Sequence, residues 1–461
     1  MKKNYFTQFL SIILTVGLFC CLESYGQAEF GTWSETELST NLEIPPTHRH
    51  ENAFVEVAGK FYLMGGRAPK PVEIYDPSTG TWSTGAANYN SIHASQLHHF
   101  QAVAVGTKIY AICAFEDGSE TNAQYVYIYD TENDTWSNGS EIPVARRRGS
   151  AGAAVYNGKI YVIAGITNGH DDGNVAWFDE FDPVSGNWTS LTDAPRARDH
   201  FHATVIGNKL YVAGGRISRG ADGPGQVFLN TKTEVDVYDF ETGNWSTLET
   251  SGTFTGRAGT ATVAVGNEVI VLGGEGPNQQ SANDGAPWAH NEVEAINVGT
   301  GSWRALPAMN TGRHGTQALV YNNHIYIVAG SSRRGGGGAT EQEAHSMEMI
   351  AYTLTEDPVD PDDDDDDDGE AGITSVNRAN TEGSGLNIYP NPTSDILFFE
   401  YQNNRGFTVE IFSSNGHLED RQTISGNSGT VNLSKLHSGI YWIKINPQDG
   451  SLYEMYKVVK Q

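Results

Sequence analysis

The chain has 461 residues, with 52 glycines, nine tryptophans and 21 tyrosines, and no long run spaced like an amphipathic helix. That balance favours an all-β protein with many turns, long enough for a large core and more than one domain. A formal charge of −27 argues against nucleic acid as a partner.

Residues 1–26 read as a secretory signal peptide. Lys2 and Lys3 supply the positive start, Phe9 to Cys21 the apolar centre, and Ser24 and Gly26 the small residues before a cut ahead of Gln27. The apolar run is too short for a membrane anchor, so no stable membrane insertion is expected. Gly17, Leu18 and Phe19 fit lipid attachment at Cys20 or Cys21 poorly. Cleavage leaves Cys113 alone, which removes any internal disulfide or cysteine-based zinc site.

From Arg49 onward one pattern recurs about every fifty residues. Each copy starts near an arginine, runs through two apolar alternations separated by a tight turn, and reaches a Gly-Gly pair or its equivalent. A third strand ending in Tyr-Asp and a fourth opening on Trp follow. Arg198 to Arg216, RDHFHATVIGNKLYVAGGR, is the fourth copy, continued by VDVYDFETGNW. The outer strands begin at Trp82, Trp136, Trp188, Trp245 and Trp303, and the sixth copy has none. A spare Gly31-Thr32-Trp33 lies ahead of the first copy. The N-terminal segment is therefore expected to supply the outer strand of the last unit and close a ring of six, leaving no open edge.

The Gly-Gly pair, the Tyr-Asp and the offset Trp resemble the kelch repeat over roughly residues 29–355. The resemblance implies a six-bladed β-propeller spanning 27–355. It is a fold signal rather than a functional one, because kelch propellers include enzymes, sugar isomerases and protein-binding modules. Next, residues 356–385 form a spacer with eleven acidic and no basic residues between Glu356 and Glu370, read as a self-repelling flexible linker. Residues 386–461 form a small β-sandwich-like module. Its YPNPTSD, SGIYWIKI and basic C-terminus resemble the sorting domain of Bacteroidetes proteins exported by the type IX system. That resemblance implies secretion or display at the cell surface, with the type IX machinery as a partner.

The kelch resemblance also implies that the turn before each first strand and the loop after each second strand open on one face around a central channel. Arg49, Arg148, Arg198, Arg257 and Arg313 share one position there, with Leu97 in the second copy. The loops add Arg67, Arg216, Arg219, Arg333, Arg334, His170 and His290. Such a face is expected to be cationic and to hold an anionic oligosaccharide by bidentate arginine contacts, with Glu51, His290 and Trp288 as further binding residues. An arginine found in most copies can equally be structural. Two residues after it stand Glu51, His99, Ser150, His200, Gly259 and Gly315, where the usual occupant is small. His99 and His200 depart from that rule, and His202 follows on the same expected strand face.

Arginine, histidine and tyrosine without a required metal or other cofactor suit elimination β to a uronate carboxylate. The cation neutralises the carboxylate, His200 or His99 removes the C5 proton, and His202 or a tyrosine protonates the leaving oxygen. Secreted propellers of this kind resemble uronate-acting lyases, which points to a dehydratase on ulvan-type algal oligosaccharides. Two alternatives stay open: a mutarotase resembling the kelch sialate epimerases, and a propeller that binds glycan or protein without turnover. A copper radical oxidase ranks below these, since no tyrosine–histidine pair accompanies Cys113.

Overall fold

The computed structural model describes residues 25–37, 46–85, 92–223, 225–277, 287–335, 344 and 346–356, then 386–389, 396–401, 406–413, 418–424, 428–433, 435–436, 439–447 and 454–460. The signal peptide up to Ser24, the acidic linker beyond Glu356 and most of YPNPTSD lie outside the described residues. The chain divides into two compact units, Met1–Val359 and Asp360–Gln461.

The first unit is a six-bladed propeller. Blade one pairs Asn52–Val57, Lys60–Gly65, Glu73–Asp76 and Thr81–Thr84 in that order, all antiparallel. Blades two to five repeat this order, with inner strands Ala102–Val105, Gly152–Tyr156, Ala203–Ile206 and Ala261–Val265. The inner hairpins form because one or both residues at their tips adopt positive φ, both at Ala58 (51°) and Gly59 (79°) and the first alone at Gly106 (61°). That backbone twist matches the flanking strands. The inner strands touch in cyclic order, and Ala318–Tyr321 of blade six meets Asn52–Val57 of blade one.

The ring closes as expected. The last strand, Ser346–Glu356, takes Tyr25–Phe30 and Ser34–Glu37 on its outer edge. Trp33 is buried among residues of blades five and six, and its indole Nε1 donates to Pro307 O at 2.7 Å. Stability then comes from apolar clusters between neighbouring blades, such as Phe54, Phe61 and Leu63 of blade one packed on Leu319, Tyr326 and Val328 of blade six.

Around the axis, Glu51, His99, Ser150, His200, Gly259 and Gly315 all have φ between 52° and 64°. The N–H of each of the last five donates to the carbonyl of its predecessor, and Asn52 N–H closes the circle onto Gly315 O at 3.2 Å. The small-residue preference read from the sequence is thus a backbone requirement, met by glycine in only two blades. It also corrects one expectation. His200 and His202 do not share a strand face, because His200 sits in the left-handed turn and the strand starts at Ala203.

One layer down, Gln101 Oε1 accepts from Ala153 N and Ala203 N at 2.8 Å each, and Gln317 pairs with the backbone of Ala102 at 3.0 Å. These amides tie inner strands of different blades to one another across the axis.

The second unit has a three-stranded sheet (Leu386–Tyr389, Ile396–Tyr401, Ser428–Asn432) and a four-stranded sheet (Leu418–Ile424, Phe407–Ser413, Gly439–Pro447, Glu454–Lys460). They share a core of Leu397, Phe399, Val409, Ile411, Val431 and Ile443. Among the described residues no helix is long and apolar enough to cross a membrane.

Candidate functional site

The left-handed ring lines a cavity of about 30 Å³, with Glu51, His99, Ser150 and His200 at its mouth and His202 deeper. That volume holds one or two water-sized particles and excludes a sugar ring. The sequence-derived residues His99, His200, His202 and Glu51 therefore do come together, but around a space smaller than the substrate assigned to them. A substrate must lie on the face above and reach in with one small group.

Three imidazoles meet at the mouth, each held by a partner on its far nitrogen. His200 Nδ1 bonds Asp199, whose carboxylate also accepts from Ser218 Oγ (2.7 Å) and Ser218 N (2.9 Å). His170 sits at the turn of the hairpin Ile166–Asn168/Asp172–Asn174, which brings it over the channel. Its Nδ1 lies 2.7 Å from Glu120 Oε2, and Glu120 is itself held by Arg67 at 2.6 Å. His99 Nδ1 is 2.5 Å from His98 Nδ1, and His98 Nε2 is 2.7 Å from Asp117 O. The near nitrogens face inward: His170 Nε2 and His200 Nε2 are 2.9 Å apart, and His99 Nε2 is 3.4 Å from Glu51 Oε2.

Burial opposes ionisation of Asp199, but His200 and Arg216 outweigh it and hold the carboxyl at about 2. Burial, reinforced by Arg216, pushes His200 below the usual imidazole value. Burial pushes His202 down to about 4 against the pull of Glu51, and its Nδ1 is shielded from solvent with no hydrogen-bond partner. His202 is thus a neutral imidazole at neutral pH, which suits a proton acceptor.

The five blade arginines require the largest correction. Arg49, Arg148, Arg198, Arg257 and Arg313 are at most 1% exposed and point into their own blades. Each meets a carboxylate on the third strand: Glu73 (2.8 Å), Asp179 (2.9 Å), Asp236 (2.6 Å), Glu294 and Glu348. Each also donates to the carbonyl at the first position of the Gly-Gly pair or its equivalent, as Arg198 does to Gly214 at 2.8 Å. A buried guanidinium engaged this way cannot reach a ligand on the outer face. His290 is also withdrawn: it is 6% exposed and its Nδ1 lies 3.0 Å from Glu292. Trp288 is 45% exposed, with the Arg333 guanidinium 3.5 Å from its ring centroid. It lies outside the cavity lining.

The mouth is accordingly not a cationic funnel. Arg216 is buried against Glu275 at 2.5 Å, His314 Nε2 stands 3.4 Å from the other Glu275 oxygen, and Arg67 is paired with Glu120. Positive and negative groups alternate around it.

In the sequence His170 is only one loop residue among several, and the repeat pattern singles out neither Asp199 nor Glu120. Asp199 does carry a readable signal, since the Asp-His step directly after the arginine occurs in the fourth copy alone. His170 and Glu120 lie in loops outside the repeat, where periodicity places nothing.

A closed six-bladed ring with a histidine-lined axial pocket, joined to an export module, defines a secreted repeat propeller. The chain belongs to the kelch-repeat family: residues 99–330 match the KLHDC2/KLHL20/DRC7 Kelch-repeats domain. Residues 387–461 match the secretion system C-terminal sorting domain, which marks the chain for export to the cell surface or beyond through the type IX machinery. Among relatives, it is 28% identical over 321 residues to the Kelch-like protein terF of Aspergillus terreus, covering 65% of this chain and 64% of that one. It is 24% identical over 297 residues to N-(sulfonatooxy)prop-2-enimidothioate sulfolyase of Thlaspi arvense, covering 59% of this chain and 83% of that one. The chain spans 37–64% of the length of the kelch-named relatives from Aspergillus terreus, Arabidopsis thaliana and Homo sapiens. The solved structure of YjhT superposes with a TM-score of 0.54 at 17% identity, covering 68% of this chain and 99% of that one, which shows the shared fold.

Proposed function

We propose that the exported propeller is a carbon–oxygen lyase acting on acidic oligosaccharides of the ulvan type, eliminating the substituent β to a uronate carboxylate. The observation that carries this reading is the gathering of three oriented imidazoles beside Glu51, next to a small cavity lined by Glu51, His99, His200 and His202, whose Nδ1 is buried without a hydrogen-bond partner. Elimination needs a neutral base near the reacting carbon and polar groups that take up charge on the carboxylate as C5 loses its proton. His202 receives that proton through a water in the cavity. The electron pair left on C5 forms the C4–C5 double bond as the C4–O bond breaks, the departing oxygen takes a proton from solvent water at the mouth, and the His202 imidazolium returns its proton to solvent. The lyase name of the Thlaspi arvense relative supports the class of chemistry on a related sequence.

The test is incubation of the mature propeller with uronate-containing oligosaccharides, following unsaturated product by ultraviolet absorbance and loss of one water by mass. His202→Gln should abolish turnover while leaving the melting temperature close to that of the parent. A product of unchanged mass with inverted stereochemistry would instead support the mutarotase.

One observation favours a second reading. The exposed Trp288, stacked on Arg333, offers a platform for a sugar or an acidic chain, as a non-catalytic binding propeller would use. Glycan binding that is lost in Trp288→Ala, with no turnover of any acidic oligosaccharide, would decide for that reading.

A further inference from the structure

We infer that His99, His170 and His200 bind a divalent transition-metal ion through their Nε2 atoms, with the Glu51 carboxylate nearby on the His99 side. The argument rests on which nitrogen carries each proton. Asp199 and Glu120 accept from the Nδ1–H of His200 and His170, so the Nε2 of each neutral ring is a lone pair. For His99 the logic runs through its neighbour. Asp117 O can only accept, so His98 carries its proton on Nε2 and presents a lone pair at Nδ1. His99 then donates from Nδ1, and its Nε2 is also a lone pair.

These lone pairs face one another. His170 Nε2 and His200 Nε2 are 2.9 Å apart, a spacing that holds at most one proton between them. His99 Nε2 is buried without a hydrogen-bond partner and faces the Glu51 carboxylate at 3.4 Å. Such an arrangement repels itself unless a cation lies at its centre. The three histidine ligand atoms already lie within 4.8 Å of one another. A metal at the usual Zn–N distance of about 2.0–2.1 Å separates its ligands by a little over 3 Å, so small side-chain rotations suffice. The cavity has room for an ion and a water.

The surroundings are those of a metal site as well. A ligating imidazole usually donates its other N–H to a carboxylate or another fixed acceptor, which locks tautomer and ring direction. All three rings have such a partner. Three imidazoles suit zinc, copper, iron or nickel better than calcium or magnesium. Three blades supply the set: His99 from the second, His170 from the third and His200 from the fourth. The inference stands apart from the lyase reading, because metal is measured without substrate.

The test uses untagged mature protein, stripped with a chelator, dialysed, and reloaded with Zn(II) or Co(II). The expected result is one ion per chain by elemental mass spectrometry and, for Co(II), the visible absorption of a nitrogen-rich site. His99→Ala and His200→Ala should each abolish both signals, and His324→Gln, on the rim of blade six, should leave them intact. Glu120→Ala, which removes the acceptor behind His170 together with the partner of Arg67, should weaken binding about 10- to 100-fold and keep the fold by circular dichroism. Failure of reloaded protein to retain stoichiometric metal overturns the inference, since a proton then bridges His170 and His200. Undiminished binding in both alanine variants overturns it equally.

Discussion

Arg198 Nη2 and Asp236 Oδ2 meet at 2.6 Å with both side chains 1% exposed, and this pair is one of five that repeat around the propeller. The guanidinium starts in the turn before the inner strand and ends on the third strand, taking up the Gly214 carbonyl on the way. It pins the turn, the end of the second strand and the third strand together. Removing Arg198 strips one Asp236 oxygen of its partner and leaves Arg196 and Thr247 on the other. Arg198→Ala is expected to cost at most about 3–5 kcal/mol in chemical denaturation.

Blade two shows how the latch can be replaced. It carries Leu97 at the arginine position and Tyr127 at the acid position, and the tyrosine hydroxyl bonds Glu116 at 2.6 Å. Both members are lost together, as a charge pair demands. In a double-mutant cycle, Arg313→Leu with Glu348→Tyr should cost less than the sum of the single changes by about 1–3 kcal/mol. Additive costs would show that the two side chains do not act as a pair.

That paired loss is legible in the amino-acid sequence itself, and it separates a structural arginine from a ligand-binding one. Arginines in five copies with acids 24 to 38 residues on, and neither in the second copy, form a coupled pattern within one chain. Taken without their acids, the arginines look like a cationic mouth. The ring closure is legible for the opposite reason: Gly31-Thr32-Trp33 is a repeat fragment without its repeat, and only one place in the circle lacks it. The histidine cluster is half legible. His99 and His200 stand out because they occupy a position that favours small residues, now explained by its positive φ. His170 has no such mark, since the hairpin carrying it belongs to one blade only.

The left-handed ring makes a second prediction. Ser150 has φ of 52° where Gly259 and Gly315 have 62° and 64°. Its hydroxyl makes only a 3.5 Å contact to His200. Ser150→Gly relieves the left-handed strain, offset in part by the greater freedom of glycine in the unfolded chain. The net expectation is stabilisation of up to about 1 kcal/mol. Gly315→Ala should destabilise, because its new Cβ would lie 2.8 Å from the Glu51 carboxyl. Thermal melting of the two variants should move in opposite directions.

Stability should also fall at high pH. Burial, and to a lesser degree Asp239, pushes the Tyr211 phenol up to about 12 from its usual value near 10. Burial and Glu116 raise Tyr127 as well, and burial and Glu180 raise Tyr161. A group whose folded value is raised gives stability that is complete below its unfolded value and is lost as pH climbs through the folded one. The denaturation midpoint should therefore decline between about pH 10 and pH 12. Tyr211→Phe should flatten part of that decline, and an unchanged slope would show that Tyr211 makes no contribution to it.

The closure at Trp33 gives the last prediction. The N-terminal segment is far from blade six in sequence, yet Ser34–Glu37 pairs with Ser346–Met349 and Trp33 fills the gap beside Leu306, Met309 and Ile350. This contact converts six blades in a row into a ring. Trp33→Ala removes a large buried ring and its bond to Pro307 O, and should cost about 3–5 kcal/mol. Deleting residues 27–37 does more than lower stability. It strips the outer edge of Ser346–Glu356 and exposes an unpaired strand, which recruits other chains. Light scattering and size exclusion of the truncated propeller should show association that Trp33→Ala lacks. A truncated protein that stays monomeric with the parent midpoint would mean the ring is held shut by the inner strands alone.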